Sequence, residues 1–229
     1  MMQTEDLEIR KLDLDGLHTL LQWAQNEGWN PGPFDADAFW ATDPDAFYGY
    51  YDRQILIAGG ALVSYNGAFG FMGLFIVHPE YRNMGIGRKL WYQRRNRLLE
   101  RLNPGASIGM DGVLAMQPFY QKGGFEIARN NERYENTGTR FPVNENIRTM
   151  TEADFDALSH YDKQCFGFSR EPFLRQWITM PESKGFVYSE NHHLKGFAEL
   201  STPQTILSSL CITTPIACLC VLPFARWLA

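Results

Sequence analysis

Cysteine is scarce in this chain and badly placed for chemistry. There are four in 229 residues, none in a Cys-x-x-Cys pair. Cys165 stands alone, while Cys211, Cys218 and Cys220 crowd the last stretch of sequence. That usage fits neither a disulfide framework nor a zinc ribbon, and points to a reduced, cytoplasmic protein. The five histidines show no ligand spacing with the cysteines, and His192-His193 sits in a turn-like segment, SENHHLKG. No metal site is expected. Excess positive charge is missing too. A formal net charge of −5 leaves no surplus of cations to displace phosphate counterions, so no nucleic acid partner is expected. The first residues, MMQTEDLEIRKLD, lack the apolar run of a secretory signal.

One long stretch lacks charge altogether. From Leu200 to Ala225 there is no Asp, Glu, Lys or Arg. Pro215 and Pro223 interrupt it, and Ser and Thr are frequent, which argues against a membrane-spanning helix. Two other readings stand beside that one. The stretch supplies core strands of a second unit, or the tail from about residue 201 is foreign to the fold because the reading frame is shifted or truncated there.

Apolar and aromatic residues are plentiful. An apolar fraction of 45%, with sixteen Phe, six Trp and ten Tyr, is enough to fill a core. Leu7 to Leu12 reads as a strand, and Leu17, Leu20, Leu21 and Ala24 then recur at helical spacing. A loop with a short helix leads to strands at Phe47–Tyr51, Ile55–Tyr65 and Phe69–Val77, the last two joined through Asn66-Gly67. A helix follows from about Gly85 to Arg101, with Ile86, Leu90, Trp91, Leu98 and Leu99 on its buried face. Then come a strand over Ser107–Val113, a short helix near Met116–Lys122 and a strand from Phe125. The order implies an α/β (α+β) fold, a sheet flanked by helices.

Past Pro142 the chain starts again. Ile147, Phe155 and Leu158 repeat the spacing of Ile9, Leu17 and Leu20, with Ile147 and Leu158 both offset by 138 residues. A diverged, incomplete tandem copy is expected, dividing the chain into units of 1–140 and 141–229, with an atypical apolar tail over 201–229.

The segment FIVHPEYRNMGIGRKLW (75–91) carries the chemistry. An apolar strand ends at Pro79, a loop holds Arg82, Gly85 and Gly87, and a basic helix begins. Amides in the first turn of a helix have no intrahelical acceptors, and the macrodipole adds about half a positive charge there. Glycines let phosphate oxygens approach without a Cβ in the way. Arg82 and Arg88 add charge at both ends, so the loop suits a diphosphate better than a single carboxylate. Neither the Walker pattern nor G-x-G-x-x-G is satisfied.

The Arg82-x-x-Gly85-x-Gly87 loop, preceded by Ile76-Val77-His78-Pro79, resembles that of the Gcn5-related N-acetyltransferase (GNAT) family, over residues 7–138. Phe119-Tyr120-Gln-Lys-Gly-Gly-Phe125 is similar to the family's Y-x-x-x-G-F segment. The resemblance implies a GNAT-like, mostly antiparallel sheet flanked by helices. It also implies acetyl-CoA as co-substrate, held by Ile76, Val77, His78, Arg82, Asn83, Met84, Gly85, Ile86, Gly87 and Arg88. The acceptor would be a primary amine, on a small molecule or a peptide, attacking the thioester directly. In the family the tyrosine protonates the departing thiolate, which makes Tyr120 the general acid.

Two positions depart from the family pattern. Asn83 stands where glycine is common, and Asn tolerates left-handed backbone. Val113 stands where asparagine is expected. Gly73, inside a strand, marks a bulge or a close approach. A base must take the amine's proton, and Asp111 and then Glu27 are the candidates. Trp29, Phe34 and Trp40 either line the acceptor site or pack beneath it, and Asp35, Asp37, Asp43 and Asp45 would suit a cationic acceptor. A non-catalytic acyl-CoA-binding module or sensor is the alternative, and a dimerising scaffold a third reading. The sequence leaves the oligomeric state open, a homodimer included.

Overall fold

Asp13 starts the first helix: its side chain accepts a hydrogen bond from Gly16 N at 2.9 Å, a cap worth about 1 kcal/mol. In the computed structural model, which describes residues 7–128, 142, 144–181, 183–201 and 209–213, that helix is α1 (Leu14–Asn26), and it follows β1 (Ile9–Lys11). It buries Leu17, Leu20, Leu21 and Ala24, the face that the sequence spacing picks out. The chain continues through α2 (Asp35–Thr42), β2 (Phe47–Asp52), β3 (Ile55–Tyr65), β4 (Phe69–Val77), α3 (Ile86–Glu100), β5 (Ser107–Met110) and α4 (Gln117–Lys122).

Among the described residues, five strands form one sheet in the order β1-β2-β3-β4-β5. The first three pairings are antiparallel and β4–β5 is parallel. β3 is buried along nearly its whole length, which is why ILIAGGALVSY shows no polar alternation. Helices α1 and α2 cover one face, where Leu20, Phe39, Ala61, Phe71, Leu74 and Ile76 pack together. Helix α3 covers the other with Ile86, Leu90, Trp91 and Leu98 against Ile57, Ala58, Leu62 and Met72. Asn66 and Gly67 take φ of 51° and 77° in the β3–β4 connection, a backbone that Asn and Gly tolerate best.

Two irregularities of β4 make the site. The parallel rungs with β5 run from Phe69↔Ser107 to Met72↔Met110 and stop there, so among the described residues Gly73–Val77 has no strand partner on that side. Against β3 the register passes from Gly59↔Ile76 to Ala61↔Gly73, so Leu74 and Phe75 together oppose Gly60. That is a β-bulge, one residue past the strand glycine. Leu74 has φ of 48°, a left-handed conformation that costs a residue with a side chain about 1–2 kcal/mol.

A second sheet holds β6 (Ile147–Thr149), β7 (Lys184–Glu190), β8 (His193–Ser201) and β9 (Ser209–Thr213), in that order and all antiparallel. α5 (Phe155–Phe166) and α6 (Glu171–Ile178) precede β7. The order strand, helix, helix, strand, strand, strand repeats β1 through β4, as the sequence repeat implies. β9 lies within the uncharged stretch, and residues 202–208 and 214–229 fall outside the described residues. The two units meet where Phe168 stacks on Phe69, ring centroids 4.6 Å apart, and tilts against Tyr65.

Three expectations need correction. Residues 125–128 form no strand, and residues 129–141 lie outside the described residues. β5 ends at Met110 instead of Val113, because Val113 instead caps a 3-10 turn over Leu114–Met116. Leu99 is 52% exposed, since the buried stripe of α3 runs through Ile86, Leu90, Arg94 and Leu98 instead.

Candidate active site

The gap beyond Met72 and Met110 opens into a cavity of about 620 Å³. β4 supplies one wall from Phe71 to Val77, and Met110, Asp111 and Val113 follow β5 on the other. Trp91 and Arg94 of α3 line it, as do Phe119 and Tyr120 of α4. Its far end reaches Arg82, Asn83, Gly85, Gly87 and Arg88, where α3 begins.

The loop geometry follows from residue type. Asn83 and Gly85 take φ of 63° and 78°. Gly85 is the N-cap of α3, and among the described residues no side chain caps that helix, so its first-turn amides are left without an internal acceptor at the end of the cavity that Gly85, Gly87 and Arg88 line. At Gly87 a Cβ would press within 3.1 Å of Val77 Cγ2, so glycine lets the helix start close to β4. Of the other residues the resemblance implies, Ile76, Val77 and Arg88 line the cavity. Ile86 points its side chain into the core, where it is 1% exposed. Met84 is exposed. His78 lies outside the lining, its ring against Trp23 at 5.5 Å.

Arg82 donates to Val77 O at 2.9 Å and forms an ion pair with Glu27. Glu27, second in line as the base, therefore stands at the loop end of the cavity with its carboxylate engaged. Asp111 lines the cavity where β5 hands over to α4, as does Tyr120. The Tyr120 ring is held by Trp91, 6.0 Å away and stacked, and by Gly112, where a Cβ would fall 2.5 Å from the ring. Burial pushes the Tyr120 phenol above its ordinary pKa, partly offset by the Arg94 guanidinium. The phenol therefore keeps its proton at neutral pH.

Trp29 lines the cavity, whereas Trp40 stacks on Phe47 in the core and Phe34 caps α2. The acidic residues near them do not face the cavity. Asp35 accepts from Gly32 N, both carboxylate oxygens of Asp43 accept from Arg101 Nη2 at 2.8 Å, and Asp45 pairs with Lys11. These three hold loops together. Among the described residues no group of three or more His, Cys, Asp or Glu could hold a metal ion.

Sequence reasoning passed over Arg94. In sequence it is one of seven basic residues between 82 and 101. The signal was present: Ile86, Leu90, Arg94 and Leu98 fall four apart, which puts an arginine in an apolar stripe.

Comparison with known proteins identifies the family. The model of the acetyltransferase (GNAT) family matches residues 14–125, and that of an acetyltransferase (GNAT) domain matches 158–207. The chain belongs to the GNAT acetyltransferase family. A holothin acyltransferase from Pseudoalteromonas sp. (strain SANK 73390) is 25% identical over 176 residues, 76% of this chain and 58% of that protein. The chain thus spans a little over half of that relative's length. An uncharacterized N-acetyltransferase of Bacillus subtilis (strain 168), YitH, is 25% identical over 208 residues, covering 87% of this chain and 70% of YitH. Among solved structures, a candidate acetyltransferase from Pyrococcus horikoshii superposes with a TM-score of 0.71 at 15% identity, over 99% of this chain and 86% of that one. At that identity the likeness is one of fold, and both GNAT units take part in it.

Proposed function

We propose that the first GNAT unit transfers an acetyl group from acetyl-CoA to a primary amine, and that the chain divides near residue 140 into this catalytic unit and a second that carries no cofactor loop. The observation that carries the reading is the continuity of one cavity from the uncapped start of α3 to the β4 bulge and Tyr120. The diphosphate would lie on the first-turn amides of α3 between Arg82 and Arg88. The pantetheine arm would run along the unpaired side of Gly73–Val77, pairing with β4 in place of β5. That would bring the thioester to the bulge.

There the amine nitrogen attacks the thioester carbon, and the carbonyl electrons move onto oxygen. A β4 amide faces that oxyanion, a donor of a kind worth about 10²–10³ in rate. When the intermediate collapses the C–S bond breaks, and the thiolate takes the Tyr120 proton. Asp111, facing the cavity beside Tyr120, removes the proton from the attacking nitrogen, directly or through water. Glu27 instead sets the position of Arg82. The apolar lining near the bulge (Phe71, Met72, Met110, Phe119) leaves room for acyl groups beyond acetyl, in keeping with the name of the holothin relative.

The test is an acetyl-CoA titration followed by a panel of amines, read as free thiol release. Amine-dependent release supports the enzyme. Binding without release across the panel supports the acyl-CoA-binding module instead.

A further inference from the structure

Arg94 is wholly buried, with 0% exposure, in the middle of α3. Its guanidinium lies over the Phe75 ring at 5.3 Å and against the bare α-carbon of Gly60, where a Cβ would fall 2.4 Å from Cζ. Nη2 donates to Ala61 O on β3 and to Gly73 O on β4, at 2.8 Å to the latter. These carbonyls belong to the last rung before the bulge, Ala61↔Gly73. Nε and Nη1 have no hydrogen-bond partner, and Arg94 makes no ion pair among the described residues.

That arrangement costs stability. Two carbonyls could be satisfied by a neutral donor, and a Met or Leu would fill the space without the desolvation penalty of an unpaired cation. Burial pulls the guanidinium pKa down to about 9, so it is still charged at neutral pH. A cation in so dry a place acts strongly on any charge that develops nearby. Acyl transfer develops two negative charges at this point, the oxyanion and the thiolate.

We propose that Arg94 is a positioning residue for acetyl transfer: it clamps Gly73 and Ala61 to fix the bulge amides, and its unpaired charge favours the anionic intermediate formed beside them. The inference rests on the acetyl-transfer reading. It does not require Arg94 to touch the cofactor: the residue borders the cavity but is wholly buried, its guanidinium held against Gly60, Phe75 and the two strand carbonyls.

Three variants test it: Arg94→Met keeps the stem, Arg94→Gln keeps a neutral donor, and Arg94→Lys keeps the charge. Each is measured for coenzyme A affinity by calorimetry, for kcat and KM with acetyl-CoA, and for hydrogen exchange at the Leu74 and Phe75 amides. Coenzyme A affinity should stay within about threefold, while kcat falls roughly 10²-fold in the Met and Gln variants with KM little changed. Arg94→Lys should recover about tenfold of that loss. Bulge amides should exchange faster in the Met variant even without ligand. If Arg94→Met fails to fold, the Gln and Lys pair carries the comparison. Wild-type kcat in any neutral variant, equal losses in Gln and Lys, or unchanged bulge exchange would overturn the inference. Wild-type protein that binds no coenzyme A would instead refute the cofactor reading, and the exchange arm still decides the clamp.

Discussion

Gly60 and Arg94 compete for one space: a Cβ on Gly60 would lie 2.4 Å from Arg94 Cζ and 2.5 Å from Nη1. Gly60→Ala should therefore push the guanidinium off the Gly73 carbonyl. The expected cost is about 1–3 kcal/mol of stability, as for overpacking elsewhere, with a loss of turnover resembling that of Arg94→Met. Urea melts and thiol release check both. A Gly60→Ala protein as stable and active as the parent would mean the guanidinium moves aside without consequence.

Tyr120→Phe removes one hydroxyl and leaves the ring between Trp91 and Gly112. Turnover should slow by ~10²–10³ with coenzyme A affinity nearly unchanged, because the proton is needed only when the thiolate departs. Steady-state kinetics alongside calorimetry separate the two quantities. An unchanged rate takes Tyr120 out of the chemistry.

Gly85 has a φ of 78° and nothing within 4 Å of where a Cβ would stand. Gly85→Asp then adds left-handed strain of about 1–2 kcal/mol and sets a negative charge at the uncapped start of α3. Coenzyme A binding should be lost while the melting curve stays cooperative. Persistent binding would show that the diphosphate sits elsewhere.

The Glu27–Arg82 pair separates the two base candidates. Both side chains are partly exposed, so the pair is worth at most about 1 kcal/mol. Glu27→Gln should leave kcat in place and tighten coenzyme A by no more than about fivefold, since Arg82 then has no rival anion. Asp111→Asn should lower kcat at neutral pH by ~10² or more, and less at alkaline pH where the amine is already neutral. The reverse pattern would make Glu27 the base.

Much of this was legible because the signals are local. Ile55–Tyr65 and Phe69–Val77 match the strands end for end, since an apolar run, an Asn-Gly turn and a proline bound them. The weak echo of Ile9 in Ile147 foreshadowed the second sheet because each repeat builds the same supersecondary unit. The left-handed Asn83 and Gly85 follow from residue type alone. What the sequence hid is long-range. Gly73 signalled an irregularity, but the residue that turns left-handed is Leu74, and only pairing with β3 decides that. In sequence Arg94 sits beside Arg95 and Arg97, and a basic run of that kind fits a solvated helix face or a local anion-binding face equally well. Its contacts, Gly60, Ala61 and Gly73, lie on other strands. The sequence sets Asp35, Asp37, Asp43 and Asp45 close together as residues that would suit a cationic acceptor, but Gly32 N, Arg101 and Lys11 tie Asp35, Asp43 and Asp45 into loops.

The central claim is that the first-turn amides of α3 hold a diphosphate. Calorimetric titration with coenzyme A, repeated with pantetheine, which lacks the diphosphate and nucleotide, addresses it most directly. The account predicts saturable coenzyme A binding that weakens as salt is raised, with pantetheine at least ~10²-fold weaker. Equal affinity for the two ligands, or no heat from coenzyme A at all, would contradict it.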